Sequence, residues 1–190
     1  ERAIGIEPLP MPVTRCVQQL TGDASTSVGR QEICAALSSS PPFDVVLSIE
    51  VLEHVHAHAN KSNFDLLARF CGIYFIFSAC PLSDVPVLIA ARPQREWQEL
   101  AESAGFRFLP KLTDWIRPRL SPRNQEHRSN LLFFASNKSR EIVDHHEQLP
   151  LRNETLIDTI LPLPPLAGEL ERASLLWPEL AAARKRFLDA

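Results

Sequence analysis

The chain predicts an α/β fold with a mainly parallel sheet, an antiparallel hairpin at one edge and a helical C-terminal tail. Three observations carry that expectation. Short apolar segments alternate with stretches of helical periodicity over the first hundred or so residues, the pattern of strands joined by crossover helices. Gly72 to Ser78 is a continuous apolar run of the kind buried on both faces of a parallel sheet. The last two apolar segments, Phe106 to Leu109 and Asn130 to Ser136, are joined without a clear crossover helix, which suits an antiparallel pair.

Taken in order, Ala3 to Glu7 reads as a short strand ending in a carboxylate, with Pro8, Pro10 and Pro12 punctuating the chain behind it. Cys16 to Leu20 alternates as a second strand and stops at Thr21, Gly22 and Asp23. Gln31 to Leu37 is helical in pattern, Ser38 to Pro42 is a loop, and Phe43 to Ser48 is a third strand. That strand runs without a turn residue into the acidic, helix-compatible stretch Ile49 to Val55, so polar side chains stand at the carboxyl end of a buried strand. Open α/β sheets bind ligands at such ends.

Glu50 to Phe70 predicts helical stretches interrupted at Asn60, Lys61, Ser62 and Asn63. Pro93 to Gly105 predicts a helix with Trp97, Leu100 and Ala101 at helical spacing and Gly105 at its C-terminal cap. Thr113 to Gln125 reads as an Arg- and Pro-containing excursion. After Ser136 the character changes: Asn137 to Glu147 is polar, Leu161 to Pro165 is proline-rich, and Gly168 to Ala190 has helix-forming composition. The expected division is a partial domain over 1–137 and a linker with a helical tail over 138–190.

Composition narrows the function classes. The chain has 190 residues and is 45% hydrophobic, enough for one domain with a sizeable core. A formal charge of -3 gives no electrostatic reason to expect general binding to nucleic acid. No apolar run approaches the roughly 20 residues that cross a bilayer, and the N-terminus lacks the pattern of a signal peptide, so a soluble cytoplasmic protein is expected. Cys16, Cys34, Cys71 and Cys80 are scattered without a CxxC pair and read as reduced core thiols. His54, His56 and His58 do not converge on a helix, because His56 points away from the other two, and no metal site is expected. Asn60-Lys61-Ser62 and Asn153-Glu154-Thr155 fit the glycosylation pattern by chance.

Three segments, Ala3 to Glu7, Gly22-Asp23-Ala24 and Ser48 to His54, follow one another in an order that resembles the class I SAM-dependent methyltransferases, which are Rossmann-like. The resemblance spans roughly Arg2 to Ser136. It implies S-adenosyl-L-methionine as cofactor and methyl transfer to an acceptor that the sequence does not identify. Glu7 would accept from the ribose hydroxyls, Asp23 and Ala24 would form the adenine loop, and Ile49 would flank the methionyl portion. Glu50 and His54 would stand at the transfer position, four residues apart on one helix face, with His54 as the candidate base. Each residue also has a plainer reading. Glu7 can be a solvated strand end, Asp23 a turn residue, and Glu50 a capping residue paired with a structural His54.

By the same resemblance Ser78 to Pro81 would lie beside the substrate mouth, where packing explains Cys80 better than nucleophilic chemistry. Arg92, Arg95, Arg117, Arg119, Arg123 and Arg128 fall where related enzymes build substrate recognition, and they suit an anion or simply water. The family's glycine-rich loop has no counterpart, since none of the six glycines forms GxG. Because Glu7 matches the end of the family's second strand, that loop and the central first strand would precede Glu1. The chain would then be a fragment, inactive alone, with two strand edges unpaired or a gap of about 9 to 10 Å to close. Two other classes fit less of the pattern. One is a noncatalytic scaffold that binds partners through its tail; the other is a nicotinamide-dependent oxidoreductase, disfavoured in its short-chain form because Tyr74 is the only tyrosine and no Tyr-x-x-x-Lys occurs.

Overall fold

Apolar alternation at Ala3–Glu7 and Val17–Thr21 produces two parallel strands, β1 and β2, with Ala3 opposite Val17 and Glu7 opposite Thr21. Helix α1 (Ser27–Ala36) leads to β3 (Phe43–Ile49), and α2 (Ala57–Phe70) returns the chain to β4 (Cys71–Ser78), parallel to β3. After α3 (Gln94–Ser103) come β5 (Phe106–Phe108), α4 (Pro110–Ile116) and β6 (Leu132–Ser136), which runs antiparallel to both β4 and β5. The computed structural model describes residues 3–8, 17–81, 89–119 and 129–139. The C-terminal tail expected over 138–190 lies outside them apart from Lys138 and Ser139.

The result is an α/β, Rossmann-like architecture in which the first four strands pair in parallel and the last two form the expected antiparallel edge hairpin. The strands divide into two sheets, β1-β2 and β3-β4-β6-β5, so β3 is an outer strand of the larger one. Helix α1 spans the division: its Ile33, with Leu37 and Leu66, packs against Ile4 of β1, Leu20 of β2 and Phe43 of β3.

The larger core is aromatic. Phe75 and Phe77 on β4 meet Phe64 of α2, Trp97 of α3, Phe106 of β5 and Phe134 of β6, with Phe75 and Phe106 stacked at 4.5 Å and Phe64 edge-on to Phe75 at 6.0 Å. Such pairs contribute about 0.5–1.5 kcal/mol each beyond area burial. Helix ends are closed by specific groups. Thr26 caps α1 by accepting from the Gly29 amide at 3.0 Å, and Gly105, at φ 93°, ends α3 in the left-handed conformation that glycine adopts cheaply. Lys138 Nζ donates to the carbonyls of Ala68 and Arg69 at the C-terminus of α2, at 2.9 and 2.8 Å.

Three local expectations are corrected. Helix α2 is continuous through Asn60 to Asn63, because the apolar spacing of Ala59, Phe64 and Leu66 outweighs the polar composition; Lys61 takes the outer face and pairs with Asp65 at 2.8 Å. Asn60 is fully buried in that helix, which removes it as a glycosylation acceptor in the folded chain. The segment after β3 is not an α-helix starting at Glu50: a single 3-10 turn covers Leu52–His54 and the helix proper begins at Ala57, so Glu50 and His54 do not share a helix face. The excursion expected from Thr113 begins instead with α4, opened by Pro110 at its first turn, where a missing amide costs nothing. Thr113 Oγ1 accepts from the Phe133 amide at 3.0 Å and joins that helix to β6.

Gly29 is the position least able to carry a side chain, since a Cβ there would overlap the Asp23 carbonyl and crowd the Asp23 backbone on both sides. Backbone cannot move aside as a flexible side chain can. Gly29→Ala is expected to lower stability by about 1–3 kcal/mol in urea unfolding. A loss below a few tenths of a kcal/mol would contradict the tight packing of α1 on the turn before it.

Candidate functional site

The parallel register of β3 and β4 brings Ile49 opposite Ser78, and the next residue, Glu50, is captured there twice. Its amide donates to the Ser78 carbonyl at 2.8 Å, and Ser78 Oγ, fully buried, donates to Glu50 Oε1 at 2.7 Å. These bonds hold Glu50 at φ 52°, the left-handed region, where a non-glycine residue costs about 1–2 kcal/mol. Glu50 alone among the described non-glycine residues takes this conformation. Backbone held against its preference by surrounding bonds is a frequent mark of functional sites.

Glu53 occupies the middle of the 3-10 turn and points inward, with no exposed surface. It ties three segments together. Its Oε1 accepts from the Cys80 amide just beyond β4 at 3.3 Å, and its carbonyl accepts from the Ala90 amide ahead of α3 at 3.0 Å. Its Oε2 is buried and faces no donor. Burial therefore pushes the Glu53 carboxyl up to about 7 from an ordinary 4.5, reinforced by the hydrogen bond and negative charge of Glu50 and opposed by the backbone amides of Glu53 and Cys80.

The residues singled out from sequence fall in two places. Glu7 ends β1 with an exposed side chain, and its carbonyl accepts from the Gly22 amide at 2.9 Å. Asp23 follows β2 and spends one carboxylate oxygen locally: Oδ1 accepts from the Ser25 amide at 2.9 Å and from Ser25 Oγ at 2.6 Å, an Asx turn leading into the cap of α1. Ala24 is half-buried against α1, and its carbonyl accepts from Arg30 Nη1 at 2.7 Å. These three belong to the β1-β2 side. Ile49, Glu50 and His54 belong to the end of β3, Ile49 partly exposed, Glu50 held by Ser78, and His54 half-buried with its amide donating to the Val51 carbonyl at 3.1 Å.

His56 and His58, both exposed, stack at 5.6 Å, and no group of three or more His, Cys, Asp or Glu among the described residues could hold a metal ion. Cys34, Cys71 and Cys80 are unbridged, and burial pushes the Cys71 thiol up to about 12, which makes it inert. The arginines disperse: Arg92 lies over the Trp97 ring at 4.7 Å, Arg95 pairs with Glu99 on the exposed face of α3, and Arg117 donates to the Leu131 carbonyl. The side chains of Arg119, Arg123 and Arg128 lie outside the described residues. No helix among the described residues is long and apolar enough to cross a membrane.

Sequence reasoning overlooked Glu53 as a site residue. Its contacts are with the backbones of Cys80 and Ala90, both distant in sequence, so no local signal marks it.

No family model matches the chain, and no curated protein does. Among solved structures it is similar to magnesium protoporphyrin IX methyltransferase from Synechocystis PCC 6803 with bound SAH, at 14% identity and a TM-score of 0.40, covering 64% of this chain and 52% of that one. It is also similar to a pericyclic reaction enzyme, at 13% identity and a TM-score of 0.40 over 57% of this chain and 31% of that one. The [4+2]-cyclase SpnF is a further match, at 12% identity and a TM-score of 0.40 over 65% and 57%. The chain thus spans about a third to somewhat over half of the length of these proteins. Likeness at this level does not reach function.

The buried Glu53 carboxyl gives a pH dependence with a definite sign. Its folded value is raised, so its contribution to stability is complete below 4.5 and is lost as the pH rises to about 7. Urea midpoints from pH 4.5 to 8 should fall more steeply for the natural chain than for Glu53→Gln, which keeps the Cys80 bond without a charge. Parallel curves for the two proteins would refute the burial argument.

Proposed function

We propose that the chain is the later part of a class I SAM-dependent methyltransferase domain, and that it transfers a methyl group only when a further central strand and its glycine-rich loop are in place. The observation that carries this reading is the state of β3. The strand is apolar from Val45 to Leu47 and again at Ile49, stands at the outer edge of its sheet, and exposes Leu47 by 54% and Ile49 by 40%. A long apolar edge of this kind is normally paired or covered. One parallel strand added beside β3 would supply the pairing, and the loop after it would reach the strand ends where Glu7, Asp23 and Glu50 stand.

In that arrangement Glu7 accepts from the cofactor ribose, and Asp23 keeps Oδ2 for the adenine amine while Oδ1 serves its turn. Ile49 supplies an apolar wall for the methionyl chain. Transfer proceeds by in-line attack of an acceptor on the activated methyl, helped chiefly by positioning, with Glu50 and His54 around the transfer position.

Titration with S-adenosyl-L-methionine by calorimetry tests both halves of the proposal. The 190-residue chain should show no micromolar binding, whereas a longer chain carrying the added strand and loop should bind. In the longer chain Glu7→Ala should weaken binding about tenfold or more, equivalent to about 1.4 kcal/mol. Micromolar binding by the 190-residue chain would overturn the missing strand; a longer chain that ignores the cofactor would overturn the methyltransferase reading.

A further inference from the structure

We propose that Arg92 and Trp97 form an oxyanion site ahead of α3, and that it takes a carboxylate or phosphate group of the ligand. Two N–H donors carry the inference. The Arg92 guanidinium lies over the Trp97 ring, with its Cζ 4.7 Å from the ring centroid. Arg92 Nε and Trp97 Nε1 are both buried, and neither has a hydrogen-bond partner among the described residues. Trp97 is only 1% exposed, and Arg92 forms no ion pair with a described carboxylate. Arg30, Arg95 and Arg117, by contrast, each donate to a protein acceptor. Stacking on an indole stabilises the cation but occupies none of its N–H groups. A buried donor left without an acceptor costs about 1–3 kcal/mol, and more when it is charged. Both donors belong to one stack, so a single oxyanion at its edge would satisfy them together, and the planar guanidinium fork suits carboxylate and phosphate alike.

The stack is held from two sides. Trp97 is fixed by the rings of Phe77 and Phe64, at 5.4 and 6.3 Å between centroids. Two residues before Arg92, the Ala90 amide donates to the Glu53 carbonyl at 3.0 Å and ties this segment to the turn that follows β3. Donors ordered in advance lose little freedom when a ligand binds. Helix α3 opens at Gln94, directly behind Arg92 and Pro93, and adds the positive end of a ten-residue helix. Pro93 gives that end no side-chain cap, and the Gln94 side chain donates instead to the Ser129 carbonyl at 3.2 Å. The charges nearby are already engaged or turned to water: Glu96 is exposed, Arg95 pairs with Glu99, and Glu53 Oε1 accepts from the Cys80 amide.

The part this site plays in a reaction rests on the methyltransferase reading. The methyl acceptor is then an anion that carries a carboxylate or phosphate apart from its nucleophilic atom. Arg92 and Trp97 hold the anionic group, and the nucleophile is thereby placed at the strand ends, which makes Arg92 a specificity-determining residue. A neutral analogue would leave both donors buried and unpaired, and a site built this way rejects it for that reason.

Nitrogen-15 NMR of the 190-residue chain reads both donors with no methyl donor present, so failure of the methyltransferase reading leaves this test intact. Inorganic phosphate and acetate are titrated separately at constant ionic strength, with sodium chloride as the balancing salt, and Trp97→Phe identifies the indole signal. The Trp97 indole N–H and the Arg92 Nε–H should shift together and saturate in the millimolar range. Saturation by phosphate alone assigns the site to a phosphate group, by acetate alone to a carboxylate, and by both to either oxyanion. Arg92→Gln should abolish the saturable shift at Trp97, and Arg92→Lys, which keeps the charge but loses the fork, should weaken it several-fold. Signals that do not saturate with either anion would overturn the proposal and assign the stack to packing alone. Saturation at Trp97 that survives Arg92→Gln would overturn it as well. The titration of the natural chain decides by itself, so a variant that fails to fold does not remove the test.

Discussion

The parallel pairing of β3 with β4 along Val45 to Ile49 sets the position of every polar group at the strand ends. Because Ile49 lies opposite Ser78, the amide of Glu50 meets the Ser78 carbonyl and its carboxylate meets the Ser78 hydroxyl. A slip of β3 by one residue would turn Ser48 and Glu50 to the wrong face and break both bonds to Ser78. The register in turn is held by the aromatic core under β4, where Phe75 and Phe77 are enclosed by α2, α3, β5 and β6. Packing below thus fixes chemistry above, and Glu53 links the two levels through bonds to Cys80 and Ala90.

Strand β3 carries the opposite signature on its other side. Its outer edge has no strand partner among the described residues, and Leu47, Ile49 and Val51 are 54%, 40% and 48% exposed. Sheets that end by design blunt such an edge with charge, proline or a bulge facing solvent. The irregularity in β3 lies at its beginning, between Phe43 and Val45, and leaves Val46 to Ile49 regular and open. The break between the two sheets falls at the same place, bridged on one face by α1. That combination is economical to explain by one added parallel strand, and it makes the proposed function depend on that strand as much as on any side chain.

The elements with strong periodicity were legible in the sequence. Ala3–Glu7 lies where the apolar alternation and its terminal carboxylate place it, and the apolar run at Cys71–Ser78 is the central strand of the large sheet. Trp97 and Ala101 give the buried face of α3, and Gly105 its left-handed end. Legibility failed where a tertiary contact overruled local composition. Asn60 and Asn63 resemble a helix break but are carried inside by Phe64 and Leu66 beside them. Glu50 reads as a helix-starting acid, yet two bonds to a residue 28 positions away put it in a conformation that no local rule predicts. Glu53 was hidden for the same reason: its burial comes from Cys80 and Ala90, neither of them its neighbour in sequence.

The open edge of β3 can be measured most directly by native-state amide hydrogen exchange. Strand β4 is paired on both sides, so its Tyr74 to Phe77 amides should be protected to the level of global unfolding, while the Val46 to Ile49 amides exchange through local opening at much lower protection. Addition of the proposed central strand in a longer chain should raise β3 to the level of β4. Equal protection of β3 and β4 in the 190-residue chain would contradict the account, because it would mean that β3 is already complete as an edge.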